Sequence, residues 1–105
     1  MNFLKQRILV MDKAIREVLE NMRLVRDMVE EGLNDVRGPH ELDKEVLFRL
    51  LAHCTTVHGL NPRIMPNEVI THVYNAYNSA SNGDYETAYR FVVLARDILK
   101  LNKNK

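Results

Sequence analysis

Two pairs of side chains able to bind a metal ion lie in the middle of the chain. Cys54 and His58 are four residues apart, as are Glu68 and His72. On an α-helix this spacing places both members of a pair on one face. Two such helices side by side would offer a thiolate, two imidazoles and a carboxylate to a tetrahedral metal ion. Because chance produces such spacings easily, these residues are candidates only, and no cofactor is assigned.

Cys54 also has a structural interpretation, which its neighbours favour. It lies between Leu51 and Val57 in an apolar stripe, and this position predicts burial. Burial in apolar surroundings raises the pKa of a thiol and makes it unreactive. The chain also contains no glycine-rich phosphate loop, no serine nucleophile elbow, no HExxH and no CxxC. We therefore predict that the protein is not an enzyme.

Length and composition favour one helical domain. The 105 residues are 46% hydrophobic and 28% charged, with four Gly, three Pro and one Cys. These values are typical of a globular, helix-rich chain in a reducing compartment. The formal net charge of +1 argues against a nucleic-acid partner, because proteins that bind nucleic acids usually carry a basic surface. With no apolar run long enough for a signal peptide or a membrane span, the sequence predicts a cytoplasmic protein without a membrane partner.

Glycine and proline divide the chain into four helical segments. Pro39 suits a first helical position, Gly59 suits a left-handed helix end, and Asp84 suits an N-cap. We predict an all-α fold, a small bundle of four main helices in a single domain over 1–105. The expected helices are a long first helix and three shorter ones, followed by a frayed polar tail: 2–36, 39–58, 66–81, 84–101 and 102–105.

The first segment carries an apolar seam with a heptad repeat. Its spacing alternates between three and four residues and stops at Gly32, where a helix would favour a C-cap. The seam suits packing within a bundle or against the same helix of a second copy. Because the helix is longer than any partner helix in the chain, we expect a homodimer or a partner-binding helix. The seam residues are Leu4, Ile8, Met11, Ile15, Val18, Met22, Val25 and Val29.

All four tyrosines fall within residues 74–89, interleaved with asparagines. We expect Tyr77 and Tyr85 to pack between helices. Tyr74 and Tyr89 are candidate contacts for a partner, because tyrosine combines a large apolar ring with a polar end. The alternative is that all of these rings cover a small core without tryptophan.

The segment Val69–Asn102 resembles a single tetratricopeptide-type helical hairpin. The residues that carry the resemblance are a turn, Gly83-Asp84-Tyr85-Glu86, and small residues at Ala76, Ala88 and Ala95. In that family the small residues let two antiparallel helices approach closely. No second copy occurs at a 34-residue offset. The resemblance therefore implies an antiparallel C-terminal hairpin and no tetratricopeptide function.

These observations predict a protein–protein interaction module. We expect a small cytoplasmic regulator, inhibitor or adaptor that binds a larger protein, self-associates through the first helix, or does both. A metal-binding protein using the Cys, His and Glu candidates is one alternative. The other is a nucleic-acid-binding regulator, whose phosphate contacts would come from Arg23, Arg26, Arg37, Lys103 and Lys105.

Overall fold

The computed structural model describes residues 3–103, and the side chains of 13, 14, 16–18 and 20–102. The elements are four α-helices and one short 3-10 helix. No strand occurs over 3–103, so the all-α prediction is confirmed. In chain order the elements are α1 (Phe3–Asp35), the 3-10 helix (Pro39–Glu41), α2 (Lys44–Leu60), α3 (Asn67–Ser81) and α4 (Tyr85–Lys103).

Among the described side chains of α1, those that join the packed body of the molecule lie in the C-terminal part of the helix. At a rise of 1.5 Å per residue, its 33 residues span about 50 Å. The molecule accordingly measures 64 Å in its longest dimension and 25 and 20 Å in the others. Along α1, the first buried apolar side chain among those described is Met22, followed by Val29 and Leu33. Every described side chain over 13–21 is exposed.

Gly32 lies inside α1, so the C-cap expected there is absent and the helix continues to Asp35. A Cβ atom at position 32 would lie 3.0 Å from Cδ2 of Leu50, closer than ordinary van der Waals contact. The glycine therefore marks where α2 packs closely against α1, and its value is the missing side chain rather than a special backbone conformation.

The prediction that a helix begins at Pro39 was wrong. Pro39 begins only a three-residue 3-10 turn, and α2 starts at Lys44. The reason lies in Asp43, whose carboxylate accepts a hydrogen bond of 2.8 Å from the backbone N–H of Glu45. This side chain satisfies one of the unpaired N–H groups of the first helical turn, so the helix begins there.

The prediction that Gly59 closes the second helix was also wrong. The helix runs through Gly59 to Leu60, and the N–H of Asn61 donates to the carbonyl of Val57 at 2.8 Å. Pro62 follows directly and has no N–H to continue the pattern. Among the described residues, the one with a positive φ is Gly83, at 81°.

The turn between α3 and α4 follows from its residue types. Gly83 takes up the left-handed conformation, and Asp84 then caps α4 by accepting from the N–H of Thr87 at 3.1 Å. The Thr87 hydroxyl also donates to Asp84 at 2.7 Å, and these hydrogen bonds lower the pKa of the Asp84 carboxyl. The helix then extends to Lys103, beyond the predicted end at 101, so Asn102 is helical.

The hydrophobic core joins all four helices, and the α3–α4 contact is its most extensive part. Small side chains at this contact let the two helices pack closely. They are fully or almost fully buried at Ala76, Ala80, Ala88 and Ala95. Larger buried residues from all four helices and from the α2–α3 connection also belong to the core, among them Leu33, Leu47, Leu50, Val57, Met65, Val69, Val73, Val92 and Leu99.

Candidate functional site

The structure does not assemble the metal-site candidates. Cys54 is fully buried and Glu68 is exposed. The Nδ1–H of His58 donates to the carbonyl of Met65 at 2.8 Å, which holds the α2–α3 connection. His72 stacks on Phe91 with ring centroids 6.0 Å apart. Among the described residues, no three His, Cys, Asp or Glu side chains form a group that could hold a metal ion.

The predicted burial of Cys54 is confirmed, and the thiol has no exposed surface. Burial raises the pKa of the thiol from its usual 9.0 to about 12, against a smaller opposing effect of a backbone hydrogen bond. A thiol of this kind is neutral at physiological pH. It is therefore neither a nucleophile nor a thiolate ligand in the folded protein.

We expect the folded protein to resist thiol labelling at pH 8 and to lose stability above pH 9. The folded state keeps the proton up to about pH 12, whereas the unfolded thiol loses it near 9.0. The contribution of the neutral thiol to the free energy of unfolding is therefore fully present below pH 9, and it decreases between pH 9 and 12. Labelling kinetics and urea titrations at pH 8, 9 and 10 measure both effects.

The control is Cys54→Val, which removes the thiol and keeps an apolar side chain of similar size. Its stability should fall less than that of the wild type over the same pH interval. Labelling of the native wild type as fast as in urea would contradict the burial of this residue.

The described part of the α1 seam passes from the core to the surface. Met22 and Val29 are buried, Val25 is half-buried, and Val18 is 51% exposed. The seam candidates Ile8, Met11 and Ile15 lie outside the described side chains. The seam therefore serves the intrachain core at its C-terminal end and is uncovered at Val18.

A shallow groove of about 210 Å³ runs along this transition, between α1 and the end of α2. We call it the seam groove. Leu60 on its α2 side is 63% exposed, although its side chain is apolar. The groove is lined by Val18, Asn21, Met22, Val25, His53, Thr56, Val57 and Leu60.

Two further apolar side chains of α1 lie on a different face. Leu24 and Met28 are 59% and 58% exposed. At about 100° per residue, Leu24 lies about 120° around the helix axis from Val18. These residues are not part of the seam groove, and they provide matched positions for testing it.

The aromatic candidates separate into different roles. The Tyr89 hydroxyl donates to the carbonyl of Arg37 at 3.2 Å, which ties α4 to the connection that follows α1. Tyr74 is half exposed and keeps a surface for contact. Phe48 was not among the candidates, yet its exposed ring lies 5.8 Å from that of Tyr77. Phe48 lies outside the three- and four-residue spacing of the buried Leu47, Leu50 and Cys54, and this position was the signal that it faces outward.

The Phe48 and Tyr77 rings line a concavity of about 380 Å³, together with Lys44, Glu45 and Arg49. This aromatic cleft is open and carries one surplus positive charge among its lining side chains. Rings with a polar rim are the residue types enriched where proteins contact one another.

Another concavity, of about 390 Å³, differs from the aromatic cleft because arginine dominates its lining. We call it the arginine pocket. It is lined by Arg23, Arg26, Asp27, Arg63, Ile64 and Asn102. Arg63 was not a sequence candidate, since an isolated arginine beside Pro62 carries no periodic signal.

Arg26 is the buried member of this pocket. Its guanidinium pairs with Glu30 at 3.4 Å and with Asp27 at 3.3 Å, and it donates to the carbonyl of Leu99 on α4. Of the proposed phosphate contacts, Arg23 and Arg26 thus lie together. Arg37 lies beside Tyr89, about 15 Å along α4 from Leu99. The side chains of Lys103 and Lys105 lie outside the described residues.

None of the helices within the described residues has the length and apolar character needed to cross a bilayer. Comparisons with protein-family models, with curated proteins and with solved structures found no significant match. The surfaces of this chain that could receive a partner or ligand are the seam groove, the aromatic cleft and the arginine pocket.

Proposed function

We propose that this protein is a protein–protein interaction module that self-associates through α1. The observation that carries the proposal is that Val18 is 51% exposed, whereas Met22 and Val29, later residues of the same seam, are buried. An apolar seam that continues past the intrachain core is the feature that a second helix covers in a bundle or coiled coil.

A second copy of the chain is the occupant that suits the seam groove. A two-fold dimer uses the same surface on both subunits, so each copy would supply one seam and one groove. The groove is small and apolar, and it is bordered by the exposed Leu60 of α2. Side chains such as valine and methionine from a second α1 are of a size to fill it.

In the architecture that we propose, α3 and α4 form an antiparallel hairpin, and the long α1 extends from the body. The α1 dimer interface is then separate from the other surfaces that could contact a protein. Tyr74 and the aromatic cleft then stay free for a larger protein partner. The role is that of a small regulator, inhibitor or adaptor in the cytoplasm, where a buried free thiol such as Cys54 is usual. Catalysis is no part of the proposal.

Sedimentation equilibrium of the wild type and two charge variants tests self-association. The wild type is expected to be a dimer at about 10–100 µM, and Val18→Asp is expected to be a monomer, because dimerisation would bury an unpaired carboxylate. Val18 is half exposed within one chain, so the substitution leaves the fold of the monomer intact.

Leu24→Asp is the matched control, since it places the same charge on the same helix at a similar exposure but on another face. It is expected to stay dimeric. A wild type that sediments as a monomer throughout, or a Leu24→Asp variant that dissociates as readily as Val18→Asp, would overturn the proposal.

A further inference from the structure

The arginine pocket brings together groups from three distant parts of the chain. Arg23 and Arg26 come from α1, Arg63 from the connection between α2 and α3, and Asn102 from the last turn of α4. Ile64 supplies an apolar part of the wall. The volume of the arginine pocket, about 390 Å³, lies within the range of small-molecule sites.

The arginines of the pocket differ in how their donors are used. Arg26 is buried, and its donors contact two carboxylates and a backbone carbonyl. Arg23 and Arg63 are exposed, and neither side chain has an ion-pair partner among the described residues. Each guanidinium carries five N–H donors in a planar fork. Two forks are thus available to a ligand in the pocket.

The charge of the pocket favours an anion. Three arginines together with Asp27 and Glu30 leave a surplus of one positive charge. The C-terminal end of α4 would by itself repel an anion, because its last carbonyls carry partial negative charge. Arg26 already covers one of these carbonyls, that of Leu99. Arg23 and Arg63 are therefore the guanidinium groups left to face an anion in the pocket.

We propose that the arginine pocket binds the phosphate group of a small phosphate monoester. Arg23 and Arg63 hold the phosphate from two sides, Asn102 donates from its amide, and Ile64 contacts the organic part of the ligand. A phosphate has three terminal oxygens and can accept two forks at once, whereas a carboxylate has two oxygens and matches one. Arg26 keeps its contacts with Asp27, Glu30 and the Leu99 carbonyl and lines the buried side of the site.

Titration with inorganic phosphate at constant ionic strength tests the site, with the arginine Nε–Hε NMR signals of the full chain as the readout. The wild type is expected to show saturable shifts with a dissociation constant of about 1 mM. Arg23→Gln and Arg63→Gln are expected to weaken binding about ten-fold each, since each loses a charged fork. Both side chains are exposed, so the fold is retained.

Two further variants separate this site from general electrostatic attraction. Asp27→Asn removes a competing negative charge and is expected to tighten binding about three-fold. Arg90→Gln removes an exposed arginine of α4 outside the pocket and is expected to change nothing. Shifts that do not saturate, acetate binding as tightly as phosphate, or equal weakening by Arg90→Gln would overturn the proposal.

Discussion

Replacing Leu33 with alanine is expected to lower the free energy of unfolding by about 3 kcal/mol and the Tm by about 10–25 °C. Leu33 is fully buried near the C-terminal end of α1 and belongs to the core cluster shared with the other helices. The substitution removes apolar contacts and leaves a cavity that the surrounding side chains fill only in part. Urea titration and calorimetry at one protein concentration measure both quantities.

Leu24→Ala is the matched control for this prediction. It makes the same chemical change on the same helix, at a position that is 59% exposed. Its effect should stay within about 0.5 kcal/mol, as for surface substitutions in general. Equal losses in the two variants would contradict the assignment of α1 to the core through its C-terminal part.

Replacing Arg26 with methionine is expected to destabilise the protein by about 3 kcal/mol. The methionine keeps most of the apolar stem and removes the guanidinium that joins α1 to the Leu99 carbonyl of α4. It also removes the charge paired with Glu30, which is 8% exposed. Losing one member of a buried ion pair is costly because the other member remains charged in a poorly solvated place.

Two variants give this prediction its specificity. Arg23→Met, three residues earlier and exposed, should change stability by less than about 0.5 kcal/mol. Arg26→Lys keeps the charge and loses the fork, so its stability should fall between those of the wild type and Arg26→Met. An Arg26→Met variant as stable as the wild type would show that the contact with α4 contributes nothing.

The helices were predictable where periodicity and small residues act together. The alanines of α3 and α4, with Gly83 and Asp84 between them, predict the elements that the structure contains. The errors came where two local signals compete. At the start of α2 the Asp43 cap prevails over the preference of Pro39 for a first helical position. At the end of α2, Gly59 stays helical, and the helix ends just before Pro62, which has no N–H to continue it.

The candidate surfaces were less predictable, because they depend on residues far apart in sequence. The burial of Arg26 depends on a carbonyl 73 residues away, and an arginine on a charged helix is ordinarily assigned to solvent. Arg63 joins the same pocket from a connection without periodicity. The seam was visible in the sequence as a repeating pattern. The residue at which the seam leaves the core was not, because it depends on where α2 and α4 pack against α1.

The contact between Gly32 and Leu50 also has a consequence for how this sequence can change. With 3.0 Å between a Cβ at position 32 and the end of the Leu50 side chain, an alanine at position 32 requires Leu50 to shift by a few tenths of an ångström. We therefore expect the two positions, eighteen apart in the chain, to vary together. In related chains a change at one should accompany a compensating change at the other, so their covariation would record the distance between α1 and α2.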